Sequence, residues 1–112
     1  MTAACSNSGV ERHKLSGKVT YQGKPVVKGS IIFEPDTAKG NSGPQGFAAI
    51  QDGSYTTDKF GRGAISGPLI VRISGQIETP NGEKKSIPDY TTHIDLPKEA
   101  STHDFETSKG SQ

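Results

Sequence analysis

The apolar residues of this chain fall in short runs that alternate with polar residues, and this pattern restricts the fold most. In the stretch LSGKVTYQ (15–22), the apolar side chains of Leu15, Val19 and Tyr21 share one register and the polar ones share the other. Because strand side chains point alternately to two faces, the alternation predicts a strand with one buried face. No window carries an apolar stripe of helical period, so the pattern favours an all-β chain.

Turn-forming residues separate further runs of the same kind. Asp52-Gly53 in GFAAIQDGSYTT (46–57) is the dipeptide favoured by a two-residue hairpin, and Asn81-Gly82 is predicted to close a second hairpin. QGKP (22–25) and Pro35 mark further strand ends. The predicted inward-facing residues are Leu15, Val19, Tyr21, Ile31, Phe33, Phe47, Ala49, Tyr55, Ile65, Leu69, Val71, Ile73, Ile94, Leu96 and Phe105.

Length and composition fit one small domain with a thin core. The chain has 112 residues, of which 29% are hydrophobic, and it holds 14 Gly and 7 Pro. This composition suits many short strands joined by turns. We predict a single antiparallel β-sandwich of about seven strands with little or no helix. Residues 1–14 are expected to form a flexible leader, 15–107 the domain, and 108–112 a tail.

Charge and cysteine content exclude several function classes. The formal net charge is only +1, without a clustered basic patch, so no nucleic-acid partner is expected. A single Cys excludes an internal disulfide and a multi-cysteine metal site. No apolar run approaches the length of a membrane-spanning helix.

Three segments carry a family resemblance over residues 15–107. SGKVTYQGKPVVKGSIIFEP (16–35), DGSYTT (52–57) and GPLIVRIS (67–74) resemble small bacterial lipoproteins with a transthyretin-like, carboxypeptidase-regulatory-like domain. The segments IPDY (87–90) and HDFE (103–106) fit the closing part of that pattern, whereas Pro68-Leu69 departs from it. The resemblance implies an exported, non-catalytic β-sandwich.

Cys5 is the candidate lipid-attachment residue. Bacterial lipoprotein signal peptides end in small residues before a cysteine that is acylated, and Ala3 and Ala4 occupy those positions. The charged and apolar parts of a signal peptide are absent, so we expect that Met1 has replaced them. The alternative is a chance thiol in the leader, where His13 is also expected to be solvated. Lipid attachment would place the domain in the bacterial cell envelope, outside the cytoplasm.

The histidines near the C-terminus are the first candidates for chemistry. His93 and His103 lie in neighbouring predicted strands, with Asp95 and Asp104 close in sequence. Such side chains bind zinc or exchange protons in many proteins. In the predicted registers, His103 shares a face with Phe105 while His93 faces elsewhere. We therefore expect exposed strand histidines rather than a site.

The acidic and glycine-bearing loops are weaker candidates. Asp36, Asp52 and Asp58 suggest calcium, but they lack the spacing of a dedicated loop, and Asp52 is explained by its turn. GRG (61–63) and NSGPQG (41–46) open no helix, so phosphate binding is not predicted. No catalytic, metal or cofactor site is expected.

These observations predict a non-enzymatic, lipid-anchored module with a structural, adhesion or assembly role. The alternative is a carbohydrate-binding or small-ligand-binding module of a cell-surface system, for which Phe60 and Tyr90 are the aromatic side chains left outside the core. A transthyretin-related hydrolase of 5-hydroxyisourate would end in YRGS, whereas this chain reads SKGSQ (108–112). The protein or carbohydrate partner and the oligomeric state stay open.

Overall fold

The computed structural model describes residues 12–58 and 61–107, and this part of the chain is all-β. A 3₁₀ turn at Thr37–Lys39 interrupts the strands. The strands are β1 (Leu15–Tyr21), β2 (Lys24–Pro25), β3 (Lys28–Pro35), β4 (Gly46–Gln51), β5 (Ser54–Thr56), β6 (Gly61–Arg62), β7 (Gly67–Glu78), β8 (Lys84–Ser86), β9 (Tyr90–Leu96), β10 (Ser101–Thr102) and β11 (Phe105–Glu106).

The strands form one curled sheet in which all pairs are antiparallel except two pairs that involve β1. Its main path runs β9-β7-β3-β4-β5-β1-β10, and β2 and β11 also pair with β1. Strands β6 and β8 add to β4 and β7. The pairs of β1 with β10 and β11 are parallel. Across the described residues there are 11 strands rather than about seven, because two- and three-residue segments pair at the edges.

The predicted turns form where the sequence places them. Asp52 and Gly53 both have positive φ, 52° and 83°, as a two-residue type I′ hairpin requires. Gln22 and Gly23 repeat this geometry between β1 and β2, with φ of 52° and 79°. Gly82, with φ of 84°, lies in the loop that joins β7 to β8. Local turn chemistry therefore fixes three reversals of the chain.

One hydrophobic cluster forms the core, and most of the predicted inward faces are confirmed. Thirteen predicted residues belong to it or pack against it; they are Leu15, Val19, Tyr21, Ile31, Phe33, Tyr55, Ile65, Leu69, Val71, Ile73, Ile94, Leu96 and Phe105. The cluster also takes in Val26, Ala64, Ile77, Ile87 and Tyr90, which lie in turns, short strands or strand ends. The core thus draws on nearly every part of the described chain.

The prediction for β4 is wrong by one residue. Phe47 is 48% exposed and Ala49 is half-buried, whereas Ala48 and Ile50 are buried. The two-residue turn sets Ile50 directly opposite Tyr55. Directly opposite residues share a face, so the buried Tyr55 turns Ile50 inward, and the two-residue period then turns Phe47 outward.

The predicted solvated position of His13 is also wrong. Its side chain is 8% exposed, and its backbone forms an isolated antiparallel bridge with Ala64. Both bridge hydrogen bonds are present: the amide of His13 donates to Ala64 at 2.8 Å, and the amide of Ala64 donates to His13 at 3.2 Å. Part of the predicted leader therefore packs on the domain.

The closing segment 101–107 approaches β1 most closely at Gly17. The His103 amide donates to the Ser16 carbonyl at 2.9 Å, and a Cβ at Gly17 would overlap the His103 carbonyl oxygen. Tyr55 lies directly opposite Gly17, and its hydroxyl donates to that same His103 carbonyl at 2.9 Å. Gly17 is thus required by close backbone packing.

We predict that Gly17→Ala lowers the free energy of unfolding by about 3 kcal/mol, the upper range for overpacking, because the new methyl displaces the closing segment. Gly23→Ala is the matched control: Gly23 has positive φ but open space around its Cβ position, and we expect a cost of about 1 kcal/mol. Urea unfolding of both variants measures the difference. Equal losses would contradict the close approach at Gly17.

A second pair of variants tests the register of β4. Phe47→Thr keeps a strand-forming residue on an exposed face, so we expect a loss of about 1 kcal/mol or less. Phe33→Thr empties a fully buried position and should cost about 3–5 kcal/mol. Thermal or urea unfolding compares the two. A large loss of unfolding free energy in Phe47→Thr would show that the Phe47 side chain is buried and would contradict this register.

Candidate functional site

The outer face of the sheet carries a row of side chains that crosses five strands. Cross-strand pairing places Arg62, Phe47, Ile32, Arg72 and Thr91 side by side from β6 to β9. Because directly opposite residues share a face, all five side chains lie on the surface turned away from the core. The row combines two cations with two apolar side chains.

Phe47 is the prominent residue of this row. It is the one exposed large hydrophobic side chain of the described residues, and Arg62 beside it is also exposed. At the other end of the row, the Arg72 Nε donates to Glu34 at 3.0 Å, so its charge is balanced. The row is therefore cationic at its Arg62 end and neutral at its Arg72 end.

Residues 12–14 pack beside the Arg62 end of the row. The Arg12 Nη1 donates to the carbonyl oxygens of Gln45 at 3.1 Å and Gly63 at 3.0 Å. Gln45 lies two residues before Phe47, and Gly63 follows Arg62 directly. The Arg12 guanidinium is thus held next to the two backbones that carry Phe47 and Arg62.

The GRG motif (61–63) makes this packing possible. A Cβ at Gly61 would overlap the Phe47 carbonyl oxygen, and a Cβ at Gly63 would lie 2.5 Å from the His13 carbonyl oxygen. The glycines of this motif therefore serve close backbone approach. Gly61–Arg62 forms strand β6, and among the described residues no helix begins after this motif.

An open depression of about 400 Å³ lies at this end of the domain. Among the described residues, Arg12, Lys14 and Arg62 line it together with one carboxylate, that of Asp58. The Lys14 Nζ lies 3.5 Å from the Asp58 Oδ1, and both side chains are largely exposed. Three cations facing one carboxylate leave the depression positive.

A second open groove, of about 350 Å³, lies on the outer face toward the β7–β8 hairpin. Its polar lining includes Lys28, Ser30, Ser74, Gln76 and Asp89. The hydroxyls of Ser30 and Ser74 are 3.4 Å apart. The groove is shallow and lacks an aromatic wall, so it offers hydrogen bonds without a stacking surface.

The two histidine candidates have separate surroundings, but only His93 is an exposed strand residue as predicted, whereas His103 is half-buried and lies between β10 and β11. His93 is exposed on β9 opposite Ile70. His103 stacks its ring on Phe105 at a centroid distance of 6.4 Å, which confirms their shared face. Within residues 12–58 and 61–107, no three His, Cys, Asp or Glu side chains group as metal ligands.

The acidic candidates are likewise dispersed among structural roles. Asp52 occupies its predicted turn with φ of 52°. Asp36 is buried, and its carbonyl accepts the amides of Lys39 and Asn41 at 3.0 and 3.1 Å. Asp58 pairs with Lys14. The structure does not bring these three candidates together as a calcium site.

Several predicted residues cannot be placed, and one predicted surface residue is buried. Cys5, Phe60 and the tail 108–112 lie outside the described residues. Tyr90, the other aromatic candidate for a carbohydrate surface, is only 7% exposed and belongs to the core, so that expectation is wrong. Within the described ranges, no helix is long and apolar enough to cross a membrane.

Sequence reasoning missed the surface of Arg12, Phe47 and Arg62. One signal was available: the two-residue turn fixes Ile50 opposite Tyr55, and this register turns Phe47 outward. No local signal places Arg12, because its acceptors lie 33 and 51 residues away in the chain. Comparison of the chain with protein-family models, curated proteins and solved structures gives no match.

The buried Tyr55 gives a prediction for alkaline pH. Burial, aided by the Asp104 carboxylate, raises the pKa of Tyr55 well above its ordinary value of 10.0. The folded domain keeps this proton above pH 10 while the unfolded chain loses it, so the free energy of unfolding falls as pH rises through that range. Urea unfolding at pH 8 and pH 11 measures this fall.

Tyr55→Phe is the matched control for that measurement. It removes the ionising hydroxyl and leaves the other tyrosines and the lysines in place, so the variant should lose less stability between the two pH values. At pH 8 the variant should be less stable by about 1 kcal/mol, because the His103 carbonyl loses its donor. The same pH dependence in both proteins would contradict the assignment to Tyr55.

Proposed function

We propose that this chain is a non-catalytic module of the bacterial cell envelope, anchored to the membrane through a lipid on Cys5 and serving structure, adhesion or assembly. The observation that carries the proposal is the position of Cys5 relative to the domain. The cysteine follows two alanines, and only six residues, SNSGVE (6–11), separate it from Arg12. Arg12 and His13 are already fastened to the domain.

This arrangement suits a short tether. Seven residue steps lead from Cys5 to Arg12, and each extended step spans at most about 3.6 Å, so the tether reaches at most about 25 Å. A lipid on Cys5 would therefore keep the Arg12 end of the domain beside the membrane. The polar and small residues of the tether suit a solvated spacer.

We also propose that the curled sheet is a two-layer sandwich of the transthyretin-like type. Its main path contains seven strands, the number that the resemblance implies. The Asp52-Gly53 hairpin and the inward Phe105 of the closing segment occupy their expected places. A scaffold closed by its last strands suits a role in which the module presents a rigid surface.

Intact-mass analysis of the protein isolated from membranes of its own cells tests the anchor. We expect an N-terminal Cys5 that carries the mass of a diacylglyceryl group and an added fatty acid. Cys5→Ser is the control, and it should move the protein from the membrane fraction to the soluble fraction. An unmodified N-terminus in the membrane-derived protein would refute the anchor.

A further inference from the structure

We propose that the basic end surface, formed by Arg12, Lys14, Phe47 and Arg62, lies against an anionic bilayer when the protein is anchored. The inference rests on the proposed lipid on Cys5 and adds an orientation to it. The domain would face the membrane with this surface instead of rotating freely about its tether.

The first argument is distance. Arg12 is at most about 25 Å from the lipid-bearing Cys5 along the extended chain. Its guanidinium is held against the carbonyls of Gln45 and Gly63, next to Phe47 and Arg62. The described surface that the tether reaches first is therefore this one. The Lys84–Ser86 strand pairs with Gln76–Glu78 of β7, about 13–20 Å along that strand from Arg72 of the row.

The second argument is charge. Arg12, Lys14 and Arg62 line one open depression, and Asp58 is the one carboxylate that the described part of the chain adds to its lining. The depression is open to solvent and has a volume of about 400 Å³. Anionic lipids attract such cations at short range, and arginine side chains pair well with phosphate. The local positive charge stands out against a chain whose net charge is only +1.

The third argument is the position of Phe47. Phe47 is about half exposed, so part of its apolar ring is in contact with water on the free surface. It lies directly beside Arg62 across the β4–β6 pair. Aromatic rings between apolar and wet surroundings are typical of membrane interfaces. Phe47 is thus suited to enter the headgroup region while the arginines pair with phosphates.

The sequence provides two handles for a direct test. It has one Cys and no Trp, so Cys5 can be coupled to a maleimide lipid and Phe47→Trp gives a single tryptophan, whose fluorescence can be excited apart from that of the tyrosines. The tethered full chain is placed on phosphatidylcholine vesicles with and without phosphatidylglycerol. Brominated lipids then report contact by quenching. Ser86→Trp, exposed near the far end of the sheet, is the matched probe.

We expect the tryptophan fluorescence of the Phe47→Trp variant to shift to the blue on anionic vesicles and to be quenched at least twofold more than that of Ser86→Trp. In the Phe47→Trp variant without the coupled lipid, the further substitutions R12Q and R62Q should lower the affinity for anionic vesicles about tenfold or more. The matched control is K84Q with K85Q, which removes the same amount of charge from the β7–β8 hairpin and should change the vesicle affinity little.

Three outcomes would overturn the orientation. One is equal quenching of the two probes, and another is equal loss from the two double substitutions. The third is a blue shift of the Phe47→Trp variant that depends on protein concentration and needs no vesicles, since a second copy would then cover this face. Because the coupling supplies the lipid, these results are independent of whether Cys5 is acylated in cells. Failure of the orientation and failure of the anchor are therefore distinguishable.

Discussion

The close approach of β1 and the closing segment at Gly17 is the constraint on which the rest of the structure depends. Gly17 leaves room for the His103 carbonyl, which also accepts the Tyr55 hydroxyl at 2.9 Å. The neighbouring β1 amide of Lys18 donates to Asp104 at 2.8 Å, and the Thr107 hydroxyl donates to the Thr20 carbonyl at 2.9 Å. One strand thus binds the hairpin on one edge and the closing segment on the other.

The sequence predicted those parts of the fold that depend on neighbours in the chain. Positive-φ pairs such as Asp52-Gly53 set their turns, and alternation in β1, β3 and β7 set the buried faces. The error at Phe47 arose where alternation alone was ambiguous, because Ala48, Ala49 and Ile50 are consecutive apolar residues. The turn register resolves such a run, since it ties Ile50 to the buried Tyr55.

The candidate surface was harder to predict because long-range packing assembles it. Arg12, Phe47 and Arg62 belong to three separate segments, and only the closeness of their backbones brings them together. The GRG motif supplies that closeness by omitting side chains. In this chain the glycines of the motif leave room for the backbone at His13, and the adjacent Arg12 can then bind the Gly63 carbonyl.

The parallel pairing of β1 with β10 and β11 also bears on the order in which the chain is made. The first long strand finds its partner some 86 residues later, where Lys18 meets Asp104. Until that segment has left the ribosome, β1 has one open edge, and such distant contacts form slowly. The sheet around β1 can therefore be completed only after the segment that carries Asp104 has been synthesised.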